Sequence, residues 1–270
     1  MHPFKVNGLS KINSLGILRQ GVDSSVCRGL VSLVINANRG ETMISYHSDI
    51  TQGSEEWLAA RCGLLTASEM KLIVTPTLKP ASNEKERAHL YELLAQRITG
   101  HVEARYISDD MLRGQEDEIE ARFEYQKAYG EVLEVGFITS DKWGFTIGYS
   151  PDGLIGSTGL LECKSRAQKH QIRTIIDYVS VDGIDPDFML QCQTGLLVTE
   201  RKWIDLVSYS AGLPMATVRV FPDKKIQEAI IAAATDFEAR LSAAHEKYKS
   251  LLASNKRLIP TERKITQEMI

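Results

Sequence analysis

No CxxC pair, HxH pair or HExxH run occurs in the 270 residues. The four cysteines stand apart at Cys27, Cys62, Cys163 and Cys192, and the six histidines are scattered. Zinc and iron–sulfur clusters find no ready cage in that spacing, and reduced thiols in a cytosolic protein are the expectation. No apolar run reaches the roughly 18 residues that cross a bilayer, so no membrane role is expected. A basic excess is missing too: 32 Lys and Arg face 35 Asp and Glu, for a formal net charge of -3 and a pI of about 6.1. Contact with nucleic acid at that balance has to come from local clusters helped by a bound cation. Internal repeats and low-complexity tracts are also absent, and 43% hydrophobic with 25% charged residues fits one ordinary globular core.

The first forty or so residues differ from the rest. Lys5, Lys11, Arg19, Arg28 and Arg39 face a single acid, Asp23, with several serines and a short apolar run from Gly29 to Ala37. That profile resembles a targeting peptide, yet the run lacks a convincing cleavage site. Residues 1–42 therefore read as a poorly ordered extension, and 43–270 as a single domain with Met43 as its start.

What is present centres on Gly144 to Arg166, GFTIGYSPDGLIGSTGLLECKSR. Two apolar runs flank Gly156-Ser157-Thr158-Gly159, which predicts a β-hairpin carrying Asp152 on one strand and Glu162 and Lys164 on the other. Side chains alternate along a strand, so Glu162 and Lys164 share a face while Cys163 points away. Pairing brings Asp152 near Glu162, although Pro151 cannot donate to a ladder and leaves the register open. Two carboxylates a few ångströms apart repel, and a hard divalent cation such as Mg²⁺ or Mn²⁺ resolves the repulsion. A neighbouring lysine can steady a water or the charge developing on a phosphate. Spacing alone carries little weight, because Glu-x-Lys also occurs at Glu69/Lys71, Glu200/Lys202 and Glu262/Lys264. Only the copy at Glu162 follows an apolar strand and faces an aspartate across a Gly-rich turn.

Elsewhere, Ser54 predicts an N-cap for a short helix ending at Arg61, with a turn at Gly63 and a second helix near Ala67. Arg61 and Ser68 suit a phosphate at a helix N-terminus. They equally suit simple capping. Leu90, Leu93, Leu94 and Ile98 mark a core-packing helix that leaves His89 and His101 on the surface. A helix from about Asp109 to Ala128 pairs Ile119 with Phe123 on its apolar face, and Glu118 sits at the boundary of that face. Strands near Val132–Thr139 and Phe145–Tyr149 precede the hairpin, and a helix from Gln168 to Val179 follows it. Asp185-Pro186 opens another helix carrying Gln191 and Gln193, only one of which can face a given site. Strands at Lys202–Tyr209 and Ala216–Phe221 and a long helix from Asp223 to Ala253 complete the order. The fold class is α/β or α+β, with a mixed central sheet flanked by helices.

Four separated segments, WLAARCGLLTASE, GQEDEIEARFE, SPDGLIGSTGLLECK and QCQTGLLVT, resemble in order the motifs of the lambda-exonuclease or YqaJ-type viral recombinases. These are phage alkaline exonucleases of the restriction-endonuclease-like PD-(D/E)XK fold. The resemblance runs from about Gly53 to Tyr209. It implies that Asp152, Glu162 and the carbonyl of Cys163 hold metal, with Lys164 catalytic and Glu118 completing the metal and water site. It implies a glutamine at Gln191 or Gln193, of which Gln191 is preferred. Arg61, Ser68 and Ser150 match a 5′-phosphate pocket, and Arg166 and His170 compete for its further basic position. The activity implied is Mg²⁺-dependent (Mn²⁺ possible), with two ions, digesting linear duplex DNA from the 5′ end to leave 3′ overhangs. A homotrimer, a single-strand annealing protein as partner and the bacterial cytoplasm as location are implied with it. The rivals are an endonuclease or repair nuclease of the same fold and a catalytically silent DNA-binding scaffold.

Overall fold

The structure, a computed structural model, describes residues 44–103, 109–254 and 256–263. The expected N-terminal extension lies outside the described residues. Strands β1 (Ile44–His47), β2 (Leu65–Thr66), β3 (Phe137–Ser140) and β4 (Ile147–Tyr149) form one sheet in the order β1-β3-β4-β2, with β2 and β4 parallel. A second sheet runs in sequence order through β5 (Gly153–Ile155), β6 (Gly159–Ser165), β7 (Trp203–Tyr209) and β8 (Ala216–Val220), with β6 and β7 parallel. The sequence predicts one mixed sheet, and the structure divides it in two. The division falls at Ser150-Pro151-Asp152, where the chain leaves β4 and enters β5; proline has no N–H with which to continue a ladder.

The seven helices among the described residues are α1 (Glu55–Arg61), α2 (Met70–Ile73), α3 (Glu84–Thr99), α4 (Asp109–Tyr129), α5 (Gln168–Arg173), α6 (Pro186–Thr199) and α7 (Lys224–Leu252). Their starts follow the sequence signals. Ser54 accepts from the Trp57 N–H, Asn83 from Glu86 and Asp223 from Lys225 and Ile226, while Asp185 caps α6 with Pro186 behind it. Near Ala67 the expected helix is instead the two-residue β2 and a 3-10 turn, Ala67–Glu69, before the single turn of α2. The expected helix at Gln168–Val179 stops at Arg173 and widens into a π turn over Thr174–Tyr178.

The β5–β8 sheet is buried on both faces. Leu160, Ile204, Leu206 and Val220 join the main core with Leu196 of α6 and Phe237 of α7. Leu161, Cys163 and Val207 pack on the opposite face against Ala121 and Tyr125 of α4. That alternation is the strand period expressed.

Two expectations about exposure are corrected. Ile119 and Phe123 are 59% and 53% exposed, so they are not the buried face of α4. Ala121 and Tyr125 are, and the Tyr125 hydroxyl is satisfied by Asp205 Oδ2 at 2.6 Å, which makes a polar-tipped residue a core residue. His89, expected at the surface, is 2% exposed and packs against Phe237 at 5.7 Å between ring centroids.

Candidate active site

The hairpin forms in the register Gly153↔Leu161 and Ile155↔Gly159, with Gly156 in the left-handed region at φ +50°. Asp152 therefore stands opposite Glu162, and its N–H donates to Leu161 O at 3.1 Å. Beyond that point β5 gives β6 no partner. The N–H of Cys163, which a longer strand would have paired, donates instead to Asp152 Oδ2 at 2.5 Å. In an extended strand a residue's N–H and C=O face the same edge, so the Cys163 carbonyl is turned toward the Asp152 carboxylate. Its thiol is buried on the other face, as the alternation requires.

Glu162 is buried and holds three donors. Lys164 Nζ lies 2.6 Å from Oε1, Tyr149 donates its hydroxyl to Oε2 at 2.7 Å, and Gln191 Nε2 also donates to Oε1. Gln193 turns elsewhere, donating to Phe221 O and accepting from the Asp223 N–H, both at 2.8 Å. The geometry thus brings Gln191 to the carboxylates and gives Gln193 to the junction before α7. Tyr149 reaches Glu162 because α6 carries Gly195, where a Cβ would stand 2.7 Å from the tyrosine ring.

Helix α4 supplies Glu118, half-buried and within the fields of Lys164 and Glu162. Around it, Ser165 donates to Asp117 Oδ2 at 2.5 Å and Arg122 to the Asp152 carbonyl at 3.3 Å. These two contacts fix the helix to both sides of the hairpin. Burial and then the charge of Glu162 hold the Asp152 carboxyl well above its usual range. Burial likewise raises Glu118, with Glu162 and Asp117 adding and Lys164 and Arg122 opposing. Burial pulls Lys164 down, but Glu162 and Asp152 outweigh it, so the ammonium is held charged. Cys163 and Cys192 are raised by burial and stay thiols.

A second cluster lies at the other end of Ser150-Pro151-Asp152. Ser150 Oγ accepts from Trp57 Nε1 at 2.9 Å and from Arg61 Nη1 at 3.4 Å. Arg61 Nη2 reaches Thr66 Oγ1 at 3.3 Å, and Thr66 Oγ1 lies 3.3 Å from the hydroxyl of exposed Ser68. The Arg61 guanidinium sits over the Trp57 ring at 4.3 Å. Arg61 thus links Ser150 to Thr66, Thr66 in turn reaches Ser68, and Ser68 caps no helix. Arg166 and His170 are separated: Arg166 pairs with Asp185 at 2.7 Å and lies over Phe188, the ring that Lys164 also approaches, whereas His170 is exposed on α5.

Trp57, Thr66, Tyr149, Asp117 and Arg122 were not singled out by sequence. Trp57 carried a signal, since it lies four residues before Arg61 on the face of one short helix. Thr66 meets Arg61, Ser68 and Glu69 within its own stretch of chain, and the other three depend on tertiary contacts.

A family model for the YqaJ-like viral recombinase domain matches residues 56–202, more than half of the chain. The alkaline exonuclease LHK-Exo from Laribacter hongkongensis is 34% identical with a TM-score of 0.65, covering 74% of this chain and 98% of that one. Its complex with dAMP matches equally. A phage-related exonuclease from Haemophilus somnus 129PT is 15% identical over 70% of this chain and 95% of that one, with a TM-score of 0.49. Curated proteins give no match. The mixed α+β architecture is that of the Laribacter alkaline exonuclease, and the chain belongs to the YqaJ-like viral recombinase family.

Proposed function

We propose that the protein is a divalent-metal-dependent 5′-to-3′ exonuclease acting on the ends of linear double-stranded DNA. The observation that carries this reading is the pairing of two unlike clusters. Carboxylates with a charged lysine stand two residues along the chain from an arginine–serine pocket, roughly 7 Å of extended backbone. One cluster suits hydrolysis of a phosphodiester, the other a terminal phosphate next to it. The relative's complex with dAMP, a deoxynucleoside monophosphate, is in keeping with release of mononucleotides.

The donor set fits a hard cation. Asp152, Glu162 and the Cys163 carbonyl offer only oxygen, and the burial and Glu162 charge that raise the Asp152 carboxyl are what a bound cation offsets. Among the described residues no three His, Cys, Asp or Glu side chains are grouped so as to hold a metal ion by themselves. A cation held there would complete its coordination with solvent oxygens, as Mg²⁺ does, and two ions with Glu118 nearby would complete the reading. When bound, such ions supply an activated water and stabilise the leaving oxygen.

The chain's own residues do the rest. Lys164 holds its proton and places positive charge beside the phosphate that gains negative charge. Tyr149, kept neutral by burial and Glu162, fixes one oxygen of Glu162. Gln191 fixes the other and sets its own amide beside the scissile group. Arg61, Ser68 and Ser150 anchor the 5′ phosphate, and Arg166 is the basic residue placed beside Lys164. A 3′ overhang is the product, passed to a single-strand annealing protein, and a ring of three copies keeps an acidic protein on its substrate.

The test is digestion of a linear duplex, with and without a 5′ phosphate, beside a closed circle, chelator and the Lys164→Ala variant. The expected result is Mg²⁺-dependent digestion of linear DNA alone, favoured by the phosphate and reduced at least about a thousandfold in the variant. Cutting of the circle would move the reading to an endonuclease.

A further inference from the structure

Glu69 belongs to one of the Glu-x-Lys pairs whose spacing carries no chemistry, and His89 reads from sequence as a surface residue. The structure brings both behind the phosphate pocket. Glu69 closes the 3-10 turn one residue after Ser68, and its Oε2 accepts from the Thr66 hydroxyl at 2.8 Å. The same oxygen lies 3.9 Å from His89 Nε2, and His89 Nδ1 lies 3.3 Å from Glu92 Oε2. His89 is carried by α3 and buried against Phe237 of α7, and its Nε2 makes no hydrogen bond, so it neighbours the Glu69 carboxylate without fixing it.

A hydroxyl has one proton to give. With the Thr66 proton committed to Glu69, the Thr66 oxygen presents lone pairs to Arg61 Nη2 and to the Ser68 hydroxyl. Ser68 is then the donor of that pair, and its proton is the one an incoming phosphate takes over. Arg61 gains a fixed acceptor on each side, Thr66 on one and Ser150 on the other. Without an acceptor at position 69 the Thr66 proton can turn toward the guanidinium, donor against donor, and one of the two anchors is lost. A carboxylate this near an anion site opposes anion binding through its charge. Its contribution has to come from the hydrogen bond it accepts.

We infer that Glu69 is the positioning residue of the 5′-phosphate pocket. It selects phosphorylated ends by fixing the Thr66 proton rather than by touching the phosphate. This inference rests on the end-binding reading above.

The test is equilibrium binding of the full chain to blunt duplexes with a 5′ phosphate or a 5′ hydroxyl, in chelator, so that no turnover is involved. The wild type is expected to favour the phosphate by about tenfold or more, the size of one charge-assisted hydrogen bond. Glu69→Ala is expected to bring the ratio to within about twofold of unity while 5′-hydroxyl binding is unchanged. Glu69→Gln, which keeps an acceptor but no charge, is expected to retain most of the preference. Thr66→Val is expected to lose it, and the double variant Glu69→Ala/Thr66→Val to fall no further than either single one. Melting curves identify any variant that fails to fold; if Glu69→Ala is one, Thr66→Val and Glu69→Gln carry the test.

A folded Glu69→Ala or Thr66→Val with the wild-type ratio would overturn the inference. So would a Glu69→Gln that loses the ratio, because charge would then be the cause. Absence of any preference in the wild type sinks the pocket reading itself, a failure visible before a variant is made.

Discussion

Asp152 shows what the metal-binding reading costs a single residue. Its carboxyl is raised by burial and by Glu162, so the folded chain without cation favours the protonated form. Stability is then fullest at low pH and is lost as pH rises from the unfolded carboxyl value, about 3.9, through the higher folded value. Asp152→Asn removes that penalty along with the chemistry. In chelator the variant is expected to melt above the wild type at pH 7, by about 1–2 kcal/mol, with the gap closing toward pH 4. Calorimetry across that range decides it, and a wild type more stable at pH 7 would show the repulsion account to be wrong. At this scale the sequence was informative wherever chemistry is local. Asp152, Glu162 and Lys164 were legible because a turn and strand alternation relate them. His89 was not, because it meets Glu69 only through the packing of α3 against the turn before α2, which no spacing records; the Thr66–Glu69 bond, three residues apart, was local and went unread.

Among the elements, α4 matters most to the site and was read least well. Its buried stripe runs through Ala121 and Tyr125, whereas apolarity alone points to Ile119 and Phe123. Tyr125 qualifies for the core only through Asp205, a partner on β7 that lies 80 residues away. Glu118 is nevertheless half-buried with Lys164 and Glu162 as charged neighbours, since the boundary of the buried face follows either stripe within a turn. The bond from Ser165 to Asp117 sets the angle at which α4 presents Glu118 to the hairpin. Ser165→Ala is therefore expected to lower kcat about fivefold on linear duplex, the worth of about 1 kcal/mol, with KM unchanged. Measured kcat equal to the wild type would remove Ser165 from the positioning of Glu118.

Across the whole molecule, Tyr149 ties the two sheets together. It ends β4 in one sheet, and its hydroxyl holds Glu162 of β6 in the other. Gly195 makes room for its ring against α6, so Gly195→Ala drives a methyl into a buried, rigid neighbour. A loss of about 1–3 kcal/mol in denaturant unfolding is expected, with turnover falling in the protein that remains folded. An unchanged midpoint would mean that the ring yields. The division into two sheets escaped the sequence reading because Pro151 marks a break in a ladder without telling where the chain goes next. The same hairpin bears on how the gene can vary in length. Asp152 and Glu162 face each other only while Gly153 pairs with Leu161, so gaining or losing one codon between Asp152 and Ile155 turns the carboxylate from its partner. Codons added at Ser157, on the exposed tip, leave that pairing untouched. Among related genes, length differences in this region should therefore gather at the tip and spare the arm.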